Sequence, residues 1–209
     1  MNAGLSNLAT LKGFLLANSL QSATTYDATK LLPIGLGVAD LMNTFCGRQF
    51  GYNAAISEIF PGDRPHWYLS YFPVLSIASV NMRYFITDPW TNITGEPIQW
   101  NQNTGLLSFG YTLGRFPLQI QVNYAGGYFF EQLEPADGGY PTTPPAGSTP
   151  LPYGVQLAWL LQCAEVWNKI DKLGAGVADR PDSFALTGAL ELSPGVKQLL
   201  QSYRRLNLT

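Results

Sequence analysis

The sequence predicts an α+β fold: a bundle of about four helices, drawn from both ends of the chain, with an antiparallel β-sheet region inserted between them. Three observations carry this reading. Apolar residues recur at helical spacing near the N-terminus and again beyond residue 152. Between 52 and 130 that spacing stops and turn signals recur: Pro61-Gly62-Asp63, Asp88-Pro89, Thr94-Gly95 and Thr104-Gly105. Within this stretch the run from Leu118 to Tyr124 alternates strictly, with Leu118, Ile120, Val122 and Tyr124 facing one way and Gln119, Gln121 and Asn123 the other.

The elements follow in order. Ser6 and Asn7 are good N-cap types for a helix over 6–18, where Leu8, Leu11, Leu15 and Leu16 follow its spacing. Asp27 suits the N-cap of a second helix reaching Phe45, with Leu31, Leu32, Val38, Leu41, Met42 and Phe45 as its apolar stripe. Pro33 lacks an N–H and clashes with the preceding turn, which predicts a kink or a late start there. Gly47 stands where a left-handed C-terminal cap belongs. Gly35 and Gly37 lack the strand and spacing of a phosphate loop and read as helix-packing glycines.

The β-prone runs are His66–Tyr71, Val74–Ile86, Pro97–Trp100, Leu106–Phe109 and Leu118–Tyr124, and the turns between them suggest a meander. Residues 134–150 form a Pro/Gly/Thr loop, long for a connection inside a compact domain. Pro152 fits the first turn of the strongest helix, in which Val155, Trp159, Cys163, Val166, Ile170 and Leu173 trace one face up to a stop at Gly174. After a poorly patterned stretch, Ser193 as N-cap and Pro194 open a last short helix with Val196, Leu199, Leu200 and Tyr203 as its stripe. The organisation expected is thus 1–50 as N-terminal bundle helices, 51–133 as β insertion, 134–150 as loop, and 151–209 as C-terminal helices of the same bundle.

Composition restricts the function. Apolar residues make up 46% of the 209 and charged residues 12%, with five Trp, 11 Tyr and 11 Phe. An ordinary domain carries about 25% charged residues, so neutral polar groups or neighbouring subunits must cover much of this surface. A net charge of -2 and a pI near 5.3 disfavour a dedicated nucleic-acid binder, and Arg204-Arg205 is the only basic cluster. No apolar run reaches the length of a membrane span, and no secretory signal is expected. Cys46 and Cys163 lie in apolar helical patterns and read as buried, reduced thiols.

Chemistry is hard to build from these residues. His66 is the only histidine, which leaves little for a triad or a histidine-based metal site. Asp63, Asp88 and Glu96 are separated by turns, and Asp137, Asp179 and Asp182 lie in loops. No catalytic, cofactor-binding or metal-binding residue is assigned, and no cofactor is expected. Trp67, Trp90 and Trp100 could line a sugar-binding face, although sheet core or interface suits them better.

One ordered set of phrases goes further. A helix ends in Phe45-Cys-Gly-Arg-Gln-Phe50, and a strand follows. Next come Tyr71-Phe-Pro-Val74, leading into Leu75-Ser-Ile-Ala-Ser-Val80, a Gly105-Leu-Leu segment, and Ile120-Gln-Val-Asn-Tyr-Ala-Gly-Gly-Tyr128. Leu151-Pro152 starts the long helix, and Val196-Lys-Gln-Leu-Leu-Gln-Ser-Tyr-Arg-Arg205 closes the chain. In this order the set resembles the bacteriophage head–tail connector, or head completion adaptor, family. Pro33, the 134–150 loop and the extended strand region depart from its pattern.

The resemblance implies a structural virion protein of the neck, assembled in the host cytoplasm, with no enzymatic activity. It would form a homo-oligomeric ring of twelve subunits under the portal protein, extend the channel for double-stranded DNA, and offer a docking surface to the tail or to a stopper or tail-completion protein. DNA would pass through the lumen without specific binding, which a neutral surface favours because phosphate contacts dominate non-specific affinity. On this reading the hypothesis puts the portal contact on Val196, Leu199, Leu200, Tyr203, Arg204 and Arg205, with a solvated helix end favoured by the macrodipole as the alternative for the two arginines, and the subunit contact on Trp159, Trp167, Arg48 and Phe50. Helix 155–173 and the second helix would pack between subunits, and the β part would project outward or toward the tail. A carbohydrate-binding or adhesion module of a virion, built on the aromatic β part, is the alternative; a small hydrolase using Asp or Glu is a third reading.

Overall fold

The computed structural model describes residues 4–17, 28–109, 119–130, 143–176 and 191–205, with side chains described for all of these except 17, 28–30 and 170–176. It is α+β, and the chain divides into two compact units. Residues 1–48, 130–144 and 151–209 make a helical unit; residues 49–129 and 145–150 make a β unit.

The helical unit holds α1 (Leu8–Ala17), α2 (Ala28–Cys46), α3 (Tyr153–Gly176) and α4 (Pro194–Leu200), which runs into a 3-10 turn at Gln201–Tyr203. Asn7 caps α1 as expected: its Oδ1 accepts the N–H of Thr10 at 2.8 Å. Asp27 lies outside the described residues. α2 begins ahead of Pro33 and runs through it, so there is no late start. It ends as the sequence predicts, with Gly47 at φ 63°. The N–H of Gly47 reaches the Thr44 carbonyl and that of Arg48 the Asn43 carbonyl, at 3.2 and 3.1 Å. These two bonds form a Schellman motif, which satisfies carbonyls the helix end would otherwise leave open.

α3 starts one residue after Pro152, whose carbonyl accepts the N–H groups of Val155 and Gln156 at 3.0 and 3.1 Å. It continues beyond Gly174 to Gly176. Val155, Trp159, Cys163 and Val166 are buried as the periodicity requires, while the side chains of Ile170 and Leu173 lie outside the described residues. Trp159 is fully buried, and its indole donates to the Gly35 carbonyl of α2 at 2.9 Å. The backbone of Gly4 passes the same carbonyl so closely that a Cβ there would sit 2.6 Å from it. Gly37, read as a packing glycine, faces open space instead.

Pro194 opens α4, but Ser193 does not cap it through its hydroxyl. The buried side chain of Gln162 takes over: its Oε1 accepts the Ser193 N–H at 2.9 Å, and its Nε2 donates to the Glu191 carbonyl at 3.1 Å. One buried amide thus ties α3 to the approach of α4 with both of its polar ends satisfied.

The β unit comprises β1 (Asn53–Pro61), β2 (His66–Tyr68), β3 (Val74–Arg83), β4 (Thr91–Asn92), β5 (Ile98–Trp100), β6 (Leu106–Phe109) and β7 (Gln119–Gly126). They form a four-stranded sheet in the order β1-β7-β3-β4 and a three-stranded sheet in the order β2-β6-β5, with antiparallel strand pairs. This corrects the meander. The last strand lies between β1 and β3, and β2 pairs with β6. β7 is hydrogen-bonded on both sides, and its inward row is dry: Ile120 and Val122 are inaccessible and Tyr124 is 2% exposed. Together with Ile56, Trp67, Val80, Leu107 and Phe109 these residues form the β core.

The glycines after β7 carry the chain through a crowded crossing. A Cβ at Gly126 would lie 2.5 Å from the Tyr71 carbonyl oxygen, and one at Gly127, at φ 96°, would lie 2.3 Å from that of Gly51. Residues 143–150 of the expected loop are described; the Thr149 carbonyl accepts the Phe129 N–H at 2.8 Å. The remainder of that loop, 134–142, lies outside the described residues.

Candidate assembly surfaces

Trp159 and Phe50 are 0% exposed, and Trp167 and Arg48 are 5% exposed. All four are thus buried within their own chain. Phe50 stacks on Tyr128 with ring centroids 6.3 Å apart. Of the described aromatics many are buried in the cores of the two units, while Tyr153, Phe85 and Trp100 are exposed.

The six residues expected at a portal contact separate in the same way. Val196 and Leu200 are buried at 2% and 0%, while Leu199 is 38% exposed, Arg204 is exposed, and Tyr203 and Arg205 are half-buried. The segment after α4 is tied to the end of α2. The Arg205 N–H donates to the Cys46 carbonyl at 2.8 Å, and the Arg204 guanidinium lies 5.3 Å from the centre of the Phe45 ring. Two arginines thus stand beside a helix C-terminus, where the macrodipole favours positive charge.

Both cysteines are free and buried, as the sequence predicts. Burial pushes the Cys46 thiol up to about 11 from 9.0, although Arg48 and Arg204 pull the other way; burial also raises Cys163. Above the ordinary thiol pKa the unfolded chain releases a proton that the folded chain keeps. The contribution of Cys46 is therefore complete below pH 9 and is lost as the pH rises toward and through about 11. Urea midpoints of the wild type should fall across that window, and those of Cys46→Ala should fall less steeply. A thiol reagent should label the native chain only as it unfolds.

In the β unit His66 is exposed at the start of β2, edge-on to Tyr68. Asp63 lies 3.7 Å from Arg64 with both side chains open to solvent, and Asp88 accepts the Phe85 N–H at 3.0 Å. Glu96 is exposed. Among the described residues no three His, Cys, Asp or Glu gather to hold a metal. Sequence reasoning passed over Glu58, whose signal was an acidic residue at an inward position of β1. Glu58 accepts the Tyr124 hydroxyl at 2.7 Å and the Ser70 N–H at 3.2 Å, and the Tyr71 N–H donates to the Tyr124 oxygen at 3.0 Å. Burial, with the charge of Glu58 adding to it, raises the phenol far above its ordinary range. This network ties β1 and β7 to the segment that follows β2.

The three tryptophans share no platform. Trp67 is buried, donates to the Pro61 carbonyl at 2.7 Å and meets Phe109 edge-on. Trp90 lies under Arg83, 4.5 Å from ring centre to guanidinium, and Trp100 is 40% exposed. The outer face of the four-stranded sheet instead carries a row of hydrogen-bonded polar side chains, with Arg83 as a cation among them and Ile59 exposed beside them. Gln121 donates to Ser57 at 3.2 Å and accepts from Asn81 at 3.1 Å, Asn123 donates to Ser79 at 2.8 Å, and Arg83 donates to Gln119.

No protein-family model and no curated protein sequence matches the chain. Solved structures do. A chain from the neck of an empty gene transfer agent (GTA) particle, computed with C6 symmetry, has a TM-score of 0.59 at 11% identity, covering 98% of this chain and 92% of that one. A chain from the virion of a native GTA particle has a TM-score of 0.59 at 12% identity with the same coverage. A chain from the neck of a native GTA particle, computed with C12 symmetry, has a TM-score of 0.54 at 12% identity, covering 97% and 90%. At these identities the likeness is one of fold, and it extends over nearly the whole chain.

Proposed function

We propose that this chain is a structural subunit of a virion neck: a head–tail adaptor that forms a ring under the portal, extends the DNA channel and offers a docking surface to the tail or the next connector protein. The observation that carries the proposal is the fold likeness to neck chains of GTA particles, which takes in both units over 98% of the sequence. The ordered phrases from Cys46 to Arg205 support the same reading, and the C6 and C12 symmetries of the GTA necks support a ring of twelve. The outer face of the four-stranded sheet, mostly Gln, Asn and Ser with Arg83 hydrogen-bonded to Gln119, suits a wall that double-stranded DNA slides past, since a dense set of phosphate contacts would hold it.

The portal contact lies on Leu199, Tyr203, Arg204 and Arg205; Val196 and Leu200 serve the core beneath them. Deleting 196–209 would remove core residues and the bond that Arg205 makes to the end of α2. Surface substitutions are therefore the cleaner test. Leu199→Glu with Arg204→Glu should weaken capture of the chain by the portal at least about tenfold, or roughly 1.4 kcal/mol, with an unchanged circular dichroism spectrum. Undiminished capture would move the contact elsewhere.

A further inference from the structure

The apolar residues of the last helix allow two ways of seating it on the bundle. Val196 and Leu200 form one i, i+4 pair, and Leu199 and Tyr203 form another three residues on. The structure buries the first pair, at 2% and 0%, and leaves Leu199 38% exposed and Tyr203 half-buried. Backbone hydrogen bonds hold the segment at both ends. Gln162 of α3 is 0% exposed, and its amide meets the backbone on either side of buried Leu192. Its Oε1 accepts the Ser193 N–H at 2.9 Å, and its Nε2 donates to the Glu191 carbonyl at 3.1 Å. At the far end the Arg205 N–H donates to the Cys46 carbonyl at 2.8 Å. Between them the Tyr203 hydroxyl lies over the first turn of α3, 3.4 Å from where a Cβ on Gly154 would sit.

We infer that Gln162 is a positioning residue for the portal contact: its buried amide selects the seating of the last helix that presents Leu199, Tyr203 and Arg204. The inference rests on the portal reading above. Position 162 falls within the buried stripe of α3, among Val155, Ala158, Trp159, Cys163 and Val166, where an apolar side chain would suit. An amide there costs free energy unless both of its ends are met. The backbone of residues 191 and 193 meets both, and does so in one register. A slip of three residues would bring Leu199 and Tyr203 to the places of Val196 and Leu200. Hydrophobic burial has no direction and tolerates that exchange. The amide does not, because the slip parts it from both partners and leaves buried polar groups unpaired. Gln162 is itself inaccessible, so it acts on a partner only through the segment it holds.

Two variants break the same contact from opposite sides. Gln162→Met keeps the length and about the volume of the side chain and deletes both hydrogen bonds. Ser193→Pro removes the N–H, at a φ of -64° that proline adopts. Each should keep the circular dichroism spectrum and lose capture by the portal about fivefold, what one neutral hydrogen bond contributes. In a chain already carrying Leu199→Glu and Arg204→Glu, neither should weaken capture further, since the surface they position is already altered. Equal losses in both backgrounds would overturn the inference, because a merely structural role adds to a surface change. If Leu199→Glu with Arg204→Glu leaves capture undiminished, the portal contact is misplaced and the inference falls with it. If that pair weakens capture while Gln162→Met and Ser193→Pro do not, the contact stands and the positioning role alone falls.

Discussion

Trp159→Ala should destabilise the helical unit by about 3–5 kcal/mol, the usual cost of deleting a fully buried tryptophan. That is a large share of the roughly 5–15 kcal/mol that holds a typical domain. The substitution empties the centre of α3 and leaves the Gly35 carbonyl without the indole N–H it now meets at 2.9 Å. Trp159→Phe should cost less, because it keeps most of the volume and loses the hydrogen bond. Urea unfolding followed by circular dichroism measures both. The result also separates two roles. A tryptophan at a subunit interface would leave the isolated chain as stable as before and weaken only assembly, and a cost under about 1 kcal/mol would return Trp159 to that role.

Gly127→Ala should disrupt the β unit comparably, through the backbone. A residue with a side chain held at a strained, positive φ costs on the order of 1–3 kcal/mol. Here the added Cβ would also lie 2.3 Å from the Gly51 carbonyl oxygen, which side-chain rotation cannot relieve. The crossing must then open where the Tyr128 N–H meets the Phe50 carbonyl at 2.7 Å and the Tyr52 N–H meets the Tyr128 carbonyl at 2.9 Å. Faster hydrogen exchange at those two amides and a lower melting temperature are the expected readouts. Gly37→Ala, in open space on α2, should leave stability unchanged or raise it, since glycine inside a helix costs about 1 kcal/mol relative to alanine.

The parts of the fold legible in the sequence are those decided locally. Asn7 and Gly47 sit at helix ends because their side chain and backbone suit those positions whatever lies around them. The alternation from Ile120 to Tyr124 survives because one row must be dry. Ser193 misled because a distant residue, Gln162, meets the backbone of that turn; nothing within a few residues of Ser193 announces it. The order β1-β7-β3 was not legible for a related reason. Short turns favour neighbours in sequence, whereas β7, the last strand in sequence, pairs with both β1 and β3.

The site was less legible than the fold, because core and interface draw on the same residue types. Trp159, Trp167 and Phe50 fit either, and only burial separates them. Tyr153, Leu157 and Leu161 of α3, opposite the row assigned to the core, are exposed. The phrases that carry the family resemblance prove to be requirements of the backbone. Cys46-Gly47-Arg48 closes a helix, Gly126-Gly127 clears two carbonyls, and Arg205 binds the end of α2. A likeness in those phrases therefore speaks first to a shared fold.

The central claim is that this chain builds a ring beneath a portal. The direct measurement is the native mass of the chain mixed with the portal protein, with electron microscopy of the complex that forms. A portal bearing one closed ring of twelve copies, diminished when Leu199 and Arg204 are both changed to glutamate, is the predicted result. A chain that remains monomeric and leaves the mass of the portal unchanged would contradict the account.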